Sequence, residues 1–374
     1  MRKISDTVSR LAALRGTGTM NMAMAPDSHL TKLDAFGLNP GALHGYVHIP
    51  ASLAPDAPLV VVLHGCTQTA AGYDLGAGWS DMADRYGFAL LFPEQQRQNN
   101  PNLCFNWFNP EDSRHGTGEA LSIRQMIAAV TARHAIDPSR IFVTGLSAGG
   151  AMASVMLATY PEVFAGGAII AGLPYGSATT VPQAFDRMRG HGIPDEDALS
   201  RLVRGASDHD GPWPTISIWH GTGDATVAPS NADAIIRQWR ALHGAGTRPD
   251  RAEIVDGHPR RVWHDPSGRA VIEEYRITGM GHGTPLAVSG DDRCGQAGAY
   301  MLDASISSTR HIGRFWGLIP ADEAREGAAP RPAMRERQVV PSDRTPHPEQ
   351  AEHSGPTDIG KVIQDALRTA GLMR

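Results

Sequence analysis

The 374-residue chain has only three cysteines, Cys66, Cys104 and Cys294, and they lie far apart in the sequence. Because no C-x-x-C pair occurs, the sequence predicts neither a zinc ribbon nor a thioredoxin-type redox site. At most one disulfide can form among three thiols. A small fold held together by many disulfides is therefore excluded.

The chain also lacks a large excess of charge of either sign. It has 34 basic and 39 acidic residues, a formal net charge of −5, and no run of Lys or Arg. Basic surfaces draw proteins to phosphate backbones and anionic lipids, so we do not expect nucleic acid as a partner. No stretch approaches the roughly 20 apolar residues that a membrane-crossing helix needs, so we expect no membrane partner.

A signal peptide is not indicated at the N-terminus. Asp6, Arg10 and Arg15 interrupt the apolar segment that such a peptide requires. The sequence alone therefore predicts no classical secretion, which points to a cytoplasmic protein, but it leaves the compartment open. Apolar residues at helical spacing within residues 4–14 predict a short helix instead.

Hydrophobic residues make up 41% of the chain and charged residues 20%, which is ordinary for a globular protein with one sizeable core. Between residues 58 and 318, apolar β-branched runs alternate with amphipathic stretches, which is typical of an α/β domain with a mainly parallel sheet. The predicted strands are 59–63, 88–92, 140–144, 167–171, 215–219 and 271–277. The predicted helices are 79–86, 119–134, 148–159, 231–243 and 305–315.

The pattern divides the chain into three parts: an N-terminal extension at 1–41, one catalytic domain at 42–320, and a charged, proline-rich tail at 321–374. An alternating segment at 43–49 and a turn at 266–268 predict antiparallel strands at the sheet edges. Residues 174–214 are an insertion that forms either a cap or a surface excursion. The tail ends in an amphipathic pattern at 359–367 that predicts a short helix.

Ser147 is the predicted nucleophile. It lies in Gly145-Leu146-Ser147-Ala148-Gly149, a G-x-S-x-G pattern that follows a predicted strand and precedes a predicted helix. This strand, tight turn and helix order is what a nucleophile elbow requires, and the glycines remove side chains that would clash at a strained turn. A serine hydroxyl still needs a base and an orienting carboxylate to react at neutral pH.

Asp224 and His282 are the predicted acid and base. Asp224 follows the predicted strand 215–219 in H-G-T-G-D, and His282 follows the strand 271–277 in G-M-G-H-G. The chain order Ser, Asp, His and the two strand-end positions match the α/β-hydrolase arrangement. His220 also lies at a strand end, and we interpret it as a structural hydrogen-bonding residue.

Attack by a serine on an acyl carbon creates an oxyanion that backbone N–H groups must stabilise. Ala148, directly after the nucleophile, supplies one predicted donor. Cys66, in the loop after the strand 59–63, supplies the second. We interpret Cys66 as a backbone donor and not as a nucleophile. We expect a disulfide to Cys104, since both cysteines should lie above one sheet edge.

Four residues are predicted to contact substrate: Gln68, Asn106, Trp107 and Phe108. The last three form amphipathic loop material suited to the wall of a cleft. The alternative, that the two aromatic side chains only anchor the core, fits the sequence equally well. No metal ion is expected, because His44 and His48 lie on a strand pattern and do not share a helical face, and no cofactor is expected.

Four motifs are specific when they occur together: H-G-C-T-Q-T at 64–69, C-F-N-W-F at 104–108, G-L-S-A-G-G-A-M at 145–152 and G-M-G-H-G at 279–283. They resemble the polyhydroxybutyrate (PHB) depolymerase family of esterases, which includes feruloyl and acetylxylan esterases. The resemblance covers about residues 42–318. It implies an α/β-hydrolase fold, a triad of Ser147, Asp224 and His282, and ester hydrolysis through an acyl-enzyme.

Three functions follow as hypotheses. The first is a serine esterase that acts on 3-hydroxyalkanoate oligomers or amorphous polyester. The second is a feruloyl or acetylxylan esterase with the same chemistry. The third, from a different class, is a non-catalytic binding protein with an α/β-hydrolase-like fold. The sequence leaves the preferred acyl and alcohol groups and the oligomeric state open, because motifs do not set pocket dimensions.

Overall fold

The computed structural model describes residues 29–290 and 293–320. The helices predicted within residues 4–14 and 359–367 lie outside the described residues. No helix of the described part combines the length and the apolar character that crossing a membrane requires.

A ten-stranded sheet forms the centre of the molecule. Its order is β1-β2-β4-β3-β5-β6-β7-β10-β9-β8, and the six strands from β4 to β10 in this order are parallel. The outer pairs are antiparallel, so the expected mixed edges are confirmed. The strands are β1 (Thr31–Lys32), β2 (His44–His48), β3 (Ala57–Leu63), β4 (Ala89–Glu94), β5 (Ile136–Leu146), β6 (Gly166–Ile170), β7 (Thr215–Gly221), β8 (Arg251–Val255), β9 (His258–His264) and β10 (Ala270–Ile277). Short strands β11 (Thr284–Leu286) and β12 (Met301–Asp303) pair separately.

Helices cover both faces of the sheet. The described helices are α1 (Ala70–Ala77), α2 (Trp79–Tyr86), α3 (Pro110–Ser113), α4 (Gly118–His134), α5 (Ala148–Thr159), α6 (Val181–Met188), α7 (Glu196–Arg204), α8 (Ser230–Arg240) and α9 (Ser308–Phe315). Residues of α4, α5 and α8 belong to one apolar core, and residues of α1, α2 and α9 belong to the core on the opposite face.

Strand β3 shows why the sequences of the central strands are apolar without interruption. All seven of its residues are buried. Leu59, Val61 and Leu63 pack into one core, and Val60 and Val62 pack into the other. Successive side chains of a strand point to opposite faces, so a strand between two helical layers is apolar at every position.

The insertion at residues 174–214 packs on the domain. Its helix α7 buries Leu199 and Val203 and contacts α8, where the Gln238 side chain donates a hydrogen bond to the Leu199 carbonyl. Asp195 accepts a hydrogen bond from the Ala198 N–H and so caps the N-terminus of α7. Residues 179–181 of the segment line a cavity together with Asn106 and Phe108.

A group of buried ion pairs joins the antiparallel edge to the parallel sheet. Glu273 of β10 is 1% exposed and accepts hydrogen bonds from Arg260 of β9 and from the Ser217 hydroxyl of β7. Glu274 pairs with Arg261 in the same way on the other face. Because breaking a buried pair leaves a charge without its partner, these contacts hold β9 in register.

We predict that Glu273→Gln lowers the free energy of unfolding by about 1.5–3 kcal/mol, the range of a hydrogen bond to a charged group. The amide has the shape of the carboxylate but cannot balance the Arg260 charge. Urea denaturation followed by circular dichroism measures the change. Glu162→Gln, at an exposed site, is the control. Equal urea midpoints for the two variants would contradict the prediction.

Candidate active site

Ser147 lies on a strained turn between β5 and α5, as the motif predicts. Its φ of 58° and ψ of −116° place it in a region that non-glycine residues rarely adopt. A Cβ on Gly149 would lie 2.3 Å from the Leu63 carbonyl oxygen, and a Cβ on Gly145 would lie 2.4 Å from Gly149. Only glycine therefore allows the helix start to approach β3 closely enough to hold this turn.

The three predicted side chains meet in one hydrogen-bonded chain. His282 Nδ1 lies 2.7 Å from the Asp224 Oδ2 atom, and His282 Nε2 lies 2.9 Å from the Ser147 Oγ atom. The carboxylate can only accept, so Nδ1 carries the proton and donates it. Nε2 is then left as the acceptor for the Ser147 hydroxyl, which is the tautomer that a general base requires.

Contacts between two loops bring Asp224 and His282 together. The loop after β7 packs directly on the loop after β10. The contact is so close that a Cβ on Gly221 would lie 2.2 Å from the Met280 carbonyl oxygen. The Gly223 N–H donates to that same carbonyl at 2.9 Å. The Thr222 hydroxyl accepts from the Gly279 N–H at 2.8 Å. The glycines noted in the sequence are therefore needed for close backbone contact.

Asp224 is held as an anion by its hydrogen bonds. Its side chain is fully buried, and burial alone would raise its pKa. Hydrogen bonds from His220 and His282, and from the Val227 N–H, outweigh burial and hold the pKa of Asp224 well below its ordinary value. The Thr226 N–H also donates to the Oδ1 atom. Asp224 is thus ionised at neutral pH.

His220 takes the structural position expected for it. Its Nε2 atom lies 2.8 Å from the Val227 carbonyl oxygen and 3.4 Å from the Asp224 carboxylate. The ring is 2% exposed. It therefore links the Asp224 carboxylate to the Val227 carbonyl of the same loop.

The N–H groups of Cys66 and Ala148 are free to act as donors. In the part of the chain that the structure describes, neither group donates a hydrogen bond within the protein. The two groups belong to backbone segments in contact, since a Cβ on Gly149 would lie 2.5 Å from the His64 carbonyl oxygen. This arrangement suits an oxyanion beside Ser147.

A buried histidine orients the Cys66 N–H. The Gly65 carbonyl oxygen, in the same peptide group as the Cys66 N–H, lies 2.7 Å from His64 Nδ1 and also accepts from the Gln68 N–H. The Gln95 N–H donates to His64 Nε2 at 3.1 Å, so Nδ1 carries the proton. Burial lowers the pKa of His64 to about 4, so the ring is neutral. Because a peptide group is planar, a fixed carbonyl fixes the opposite N–H.

The expected disulfide between Cys66 and Cys104 is present, and Cys294 is a buried free thiol. The bond ties the turn that carries the Cys66 N–H to the loop after β4. The Thr67 N–H donates to the Asn102 carbonyl oxygen of the same loop at 2.7 Å. The geometry of this turn therefore depends on the position of residues 99–106.

The four residues predicted to contact substrate lie in different surroundings. Asn106 and Phe108 line a cavity of about 460 Å³, together with Glu119 of α4 and the 179–181 segment. Trp107 is 7% exposed and packs in the core against Phe108. The Gln68 side chain accepts a hydrogen bond from the Gly65 N–H at 2.8 Å and closes the turn before Cys66.

Three further residues lie near the site without a signal in the sequence. The Tyr300 ring packs edge-on against His282, with ring centroids 6.1 Å apart. Gln95 and Glu119 are buried beneath the loop that carries Cys104. In residues 29–290 and 293–320, no three His, Cys, Asp or Glu side chains are grouped so as to hold a metal ion.

Comparisons with known proteins identify the family of this chain. A family model described as Esterase PHB depolymerase matches residues 43–252. Poly(3-hydroxyalkanoate) depolymerase C of Paucimonas lemoignei is 49% identical over 292 residues, which are 78% of this chain and 70% of that protein. Feruloyl esterase B of Talaromyces funiculosus is 29% identical over 269 residues, 70% of this chain and 74% of that protein.

Solved structures extend the likeness to the fold. The structure of an acetyl xylan esterase from Aspergillus awamori matches with a TM-score of 0.63 and 26% identity, and the match covers 68% of this chain and 93% of that one. The predicted α/β-hydrolase fold is confirmed. This chain belongs to the Esterase PHB depolymerase family.

Proposed function

We propose that this protein is a serine carboxylic-ester hydrolase that cleaves 3-hydroxyalkanoate oligomers or amorphous polyester. In this proposal Ser147 is the nucleophile, His282 is the general base and Asp224 orients and stabilises the imidazolium. The N–H groups of Cys66 and Ala148 form the oxyanion hole. The observation that carries the proposal is the chain of hydrogen bonds of 2.7 Å and 2.9 Å that links the three side chains.

The first half of the reaction acylates Ser147. His282 Nε2 takes the hydroxyl proton while Oγ bonds to the ester carbonyl carbon, and the carbonyl oxygen becomes an oxyanion. The N–H groups of Cys66 and Ala148 donate to this oxygen. The bond from carbon to the alcohol oxygen then breaks, and His282 gives its proton to that oxygen. The alcohol leaves, and the acyl group remains on Ser147.

The second half of the reaction releases the acid. A water molecule gives a proton to His282 Nε2 and its oxygen attacks the acyl carbon, so that a second oxyanion forms in the same hole. Collapse of this intermediate breaks the bond to Ser147 Oγ, which recovers its proton from His282. The ionised Asp224 offsets the positive charge of the imidazolium in both halves.

The polyester substrate is supported by sequence similarity. The relative with 49% identity is called a poly(3-hydroxyalkanoate) depolymerase, whereas the feruloyl esterase relative is 29% identical. The likeness to an acetyl xylan esterase structure keeps esters of plant polysaccharide as the second candidate. Both candidates use the same chemistry at Ser147 and differ only in the groups that the cleft accepts.

We predict that Ser147→Ala lowers kcat for p-nitrophenyl butyrate by about 10⁴-fold or more, since the acyl-enzyme cannot form. Loss of labelling by a fluorophosphonate probe should accompany it. Steady-state kinetics on the purified, folded variant measure the effect. Hydrolysis at the wild-type rate would eliminate both esterase candidates and favour the non-catalytic binding protein.

We predict that Asp224→Asn lowers kcat by about 10³–10⁴-fold while the fold is retained. The amide can donate to His282 Nδ1, which favours the tautomer with the proton on Nε2 and removes the acceptor for Ser147. Asp208→Asn, at an exposed position, is the matched control. Equal kcat values for the two variants would show that Asp224 does not orient the base.

Product analysis decides the substrate. We expect the wild-type protein to release 3-hydroxybutyrate from hydroxybutyrate trimer and from amorphous PHB film faster than it cleaves methyl ferulate or acetylated xylan. Ser147→Ala provides the background for each substrate. Activity confined to the ferulate or xylan esters would replace the polyester assignment with the second candidate.

A further inference from the structure

A buried carboxyl group, that of Glu119, is hydrogen-bonded to Gln95 and to Asn106 in the loop that carries Cys104. Glu119, in the first turn of α4, has an exposure of 0%. Three N–H groups point at its carboxyl group. The Asn106 backbone N–H lies 2.8 Å from Oε2, the Asn106 side-chain amide lies 2.8 Å from Oε1, and the Gln95 side-chain amide also donates to Oε1.

These three donors stabilise the charged form of Glu119 against the cost of burial. A carboxylate accepts several N–H bonds, whereas a protonated carboxyl would place its own hydrogen against one of them. Burial, followed by the nearby Asp112 charge, raises the pKa of Glu119 to about 8, and the hydrogen bonds from Asn106 and Gln95 oppose that rise. Burying a carboxyl group costs free energy. Here the hydrogen bonds from Asn106 and from the Gln95 side chain offset part of that cost.

Gln95 connects Glu119 to two segments. One is the turn at residues 64–68, which carries the Cys66 N–H and is called the oxyanion turn. The other is the loop at residues 99–106, which carries Cys104 and is called the disulfide loop. Its side-chain amide donates to the Cys104 carbonyl oxygen at 3.1 Å as well as to Glu119. Its backbone N–H donates to His64 Nε2. One buried residue therefore links the carboxylate, the disulfide loop and the imidazole that holds the Gly65 carbonyl.

Asn106 makes a second connection to the same turn. Its side-chain oxygen accepts from the Asn100 amide at 3.0 Å, and Asn100 in turn accepts from the Asn102 N–H. The Asn102 carbonyl oxygen accepts the Thr67 N–H, next to Cys66. The position of the disulfide loop is thus set by contacts that end on the Glu119 carboxylate.

We propose that Glu119 is a positioning residue for the oxyanion hole. It holds Asn106 and Gln95, and these two set the disulfide loop and the His64 ring that orient the Cys66 N–H. In the described residues, the Glu119 carboxyl group is hydrogen-bonded to Gln95 and Asn106 and not to Ser147 or His282. This inference rests on the proposed function, because it assigns Glu119 to the stabilisation of the same oxyanion.

The test is Glu119→Gln, assayed with p-nitrophenyl butyrate above pH 8, where the carboxyl is ionised. The amide has an NH2 group in place of one carboxylate oxygen. That NH2 group cannot accept a hydrogen bond and would face an N–H donor of Asn106 or Gln95. We expect kcat to fall by about 10- to 100-fold with KM within about threefold, less than the 10²–10³-fold cost of deleting an oxyanion donor. Phenylboronic acid, which forms a tetrahedral adduct with serine, should bind about 10-fold more weakly.

Two matched variants separate positioning from folding. Glu111→Gln changes an exposed carboxylate of the same segment, and Glu273→Gln changes a carboxylate that is equally buried but lies in the β9 and β10 ion pairs. Glu273→Gln should lower the melting temperature while its kcat and its affinity for phenylboronic acid stay within about twofold of wild type. Equal losses of kcat in Glu119→Gln and Glu273→Gln would overturn the proposal.

Asn106→Ala tests the same path when Glu119→Gln does not fold. It removes one of the three donors and keeps the backbone N–H, so kcat should fall by about 3- to 10-fold at constant KM. If both variants fold, the double variant should be no worse than Glu119→Gln alone, since both act through the same bonds. A raised KM with unchanged kcat in Asn106→Ala would overturn the proposal and place Asn106 on the substrate.

Failure of this inference and failure of the proposed function give different results. Wild-type protein without esterase activity would end the proposed function itself. Active wild-type protein with an unchanged kcat and an unchanged phenylboronic acid affinity in Glu119→Gln would reject only the role of Glu119.

Discussion

The site depends on one imidazole that makes two different hydrogen bonds at once. His282 Nδ1 donates to a buried, ionised carboxylate, and His282 Nε2 accepts from a serine hydroxyl. Because the proton is held on Nδ1, Nε2 stays free to accept. Asp224 can impose this tautomer because two histidines and two backbone N–H groups keep it charged. If the carboxylate were neutral, the ring could turn over and the acceptor facing Ser147 would be lost.

The oxyanion side faces a different constraint, because a backbone N–H cannot turn without its whole peptide plane. The protein holds that plane through the carbonyl oxygen on its far side, which a neutral, buried His64 and the turn N–H both contact. A disulfide then anchors the turn to a loop whose polar groups end on buried Gln95 and Glu119. The Cys66 peptide group is thus held in place by hydrogen bonds among buried polar residues that lie behind it.

The convergence of Ser147, Asp224 and His282 could be predicted, because each follows a strand whose carboxyl end lies at one edge of a parallel sheet. Apolar runs located those strands to within a few residues. The positions of Gln95 and Glu119 could not be predicted, because a single Glu in the first turn of a helix is ordinary helix chemistry. For Trp107 the sequence left two interpretations open, and the structure packs it in the core at 7% exposure.

By itself the sequence determined where three candidate site residues lie along the chain. They are a serine in a strained turn, an aspartate in a loop and a histidine flanked by glycines, and each occurs in a recognisable local pattern. Local patterns suffice there because turn strain and close backbone contact demand glycine at set positions. Only the tertiary structure decided which neutral or charged state each buried group adopts and which loops support the oxyanion turn. Those properties depend on burial and on donors that come from residues far apart in the chain, and no local pattern records them.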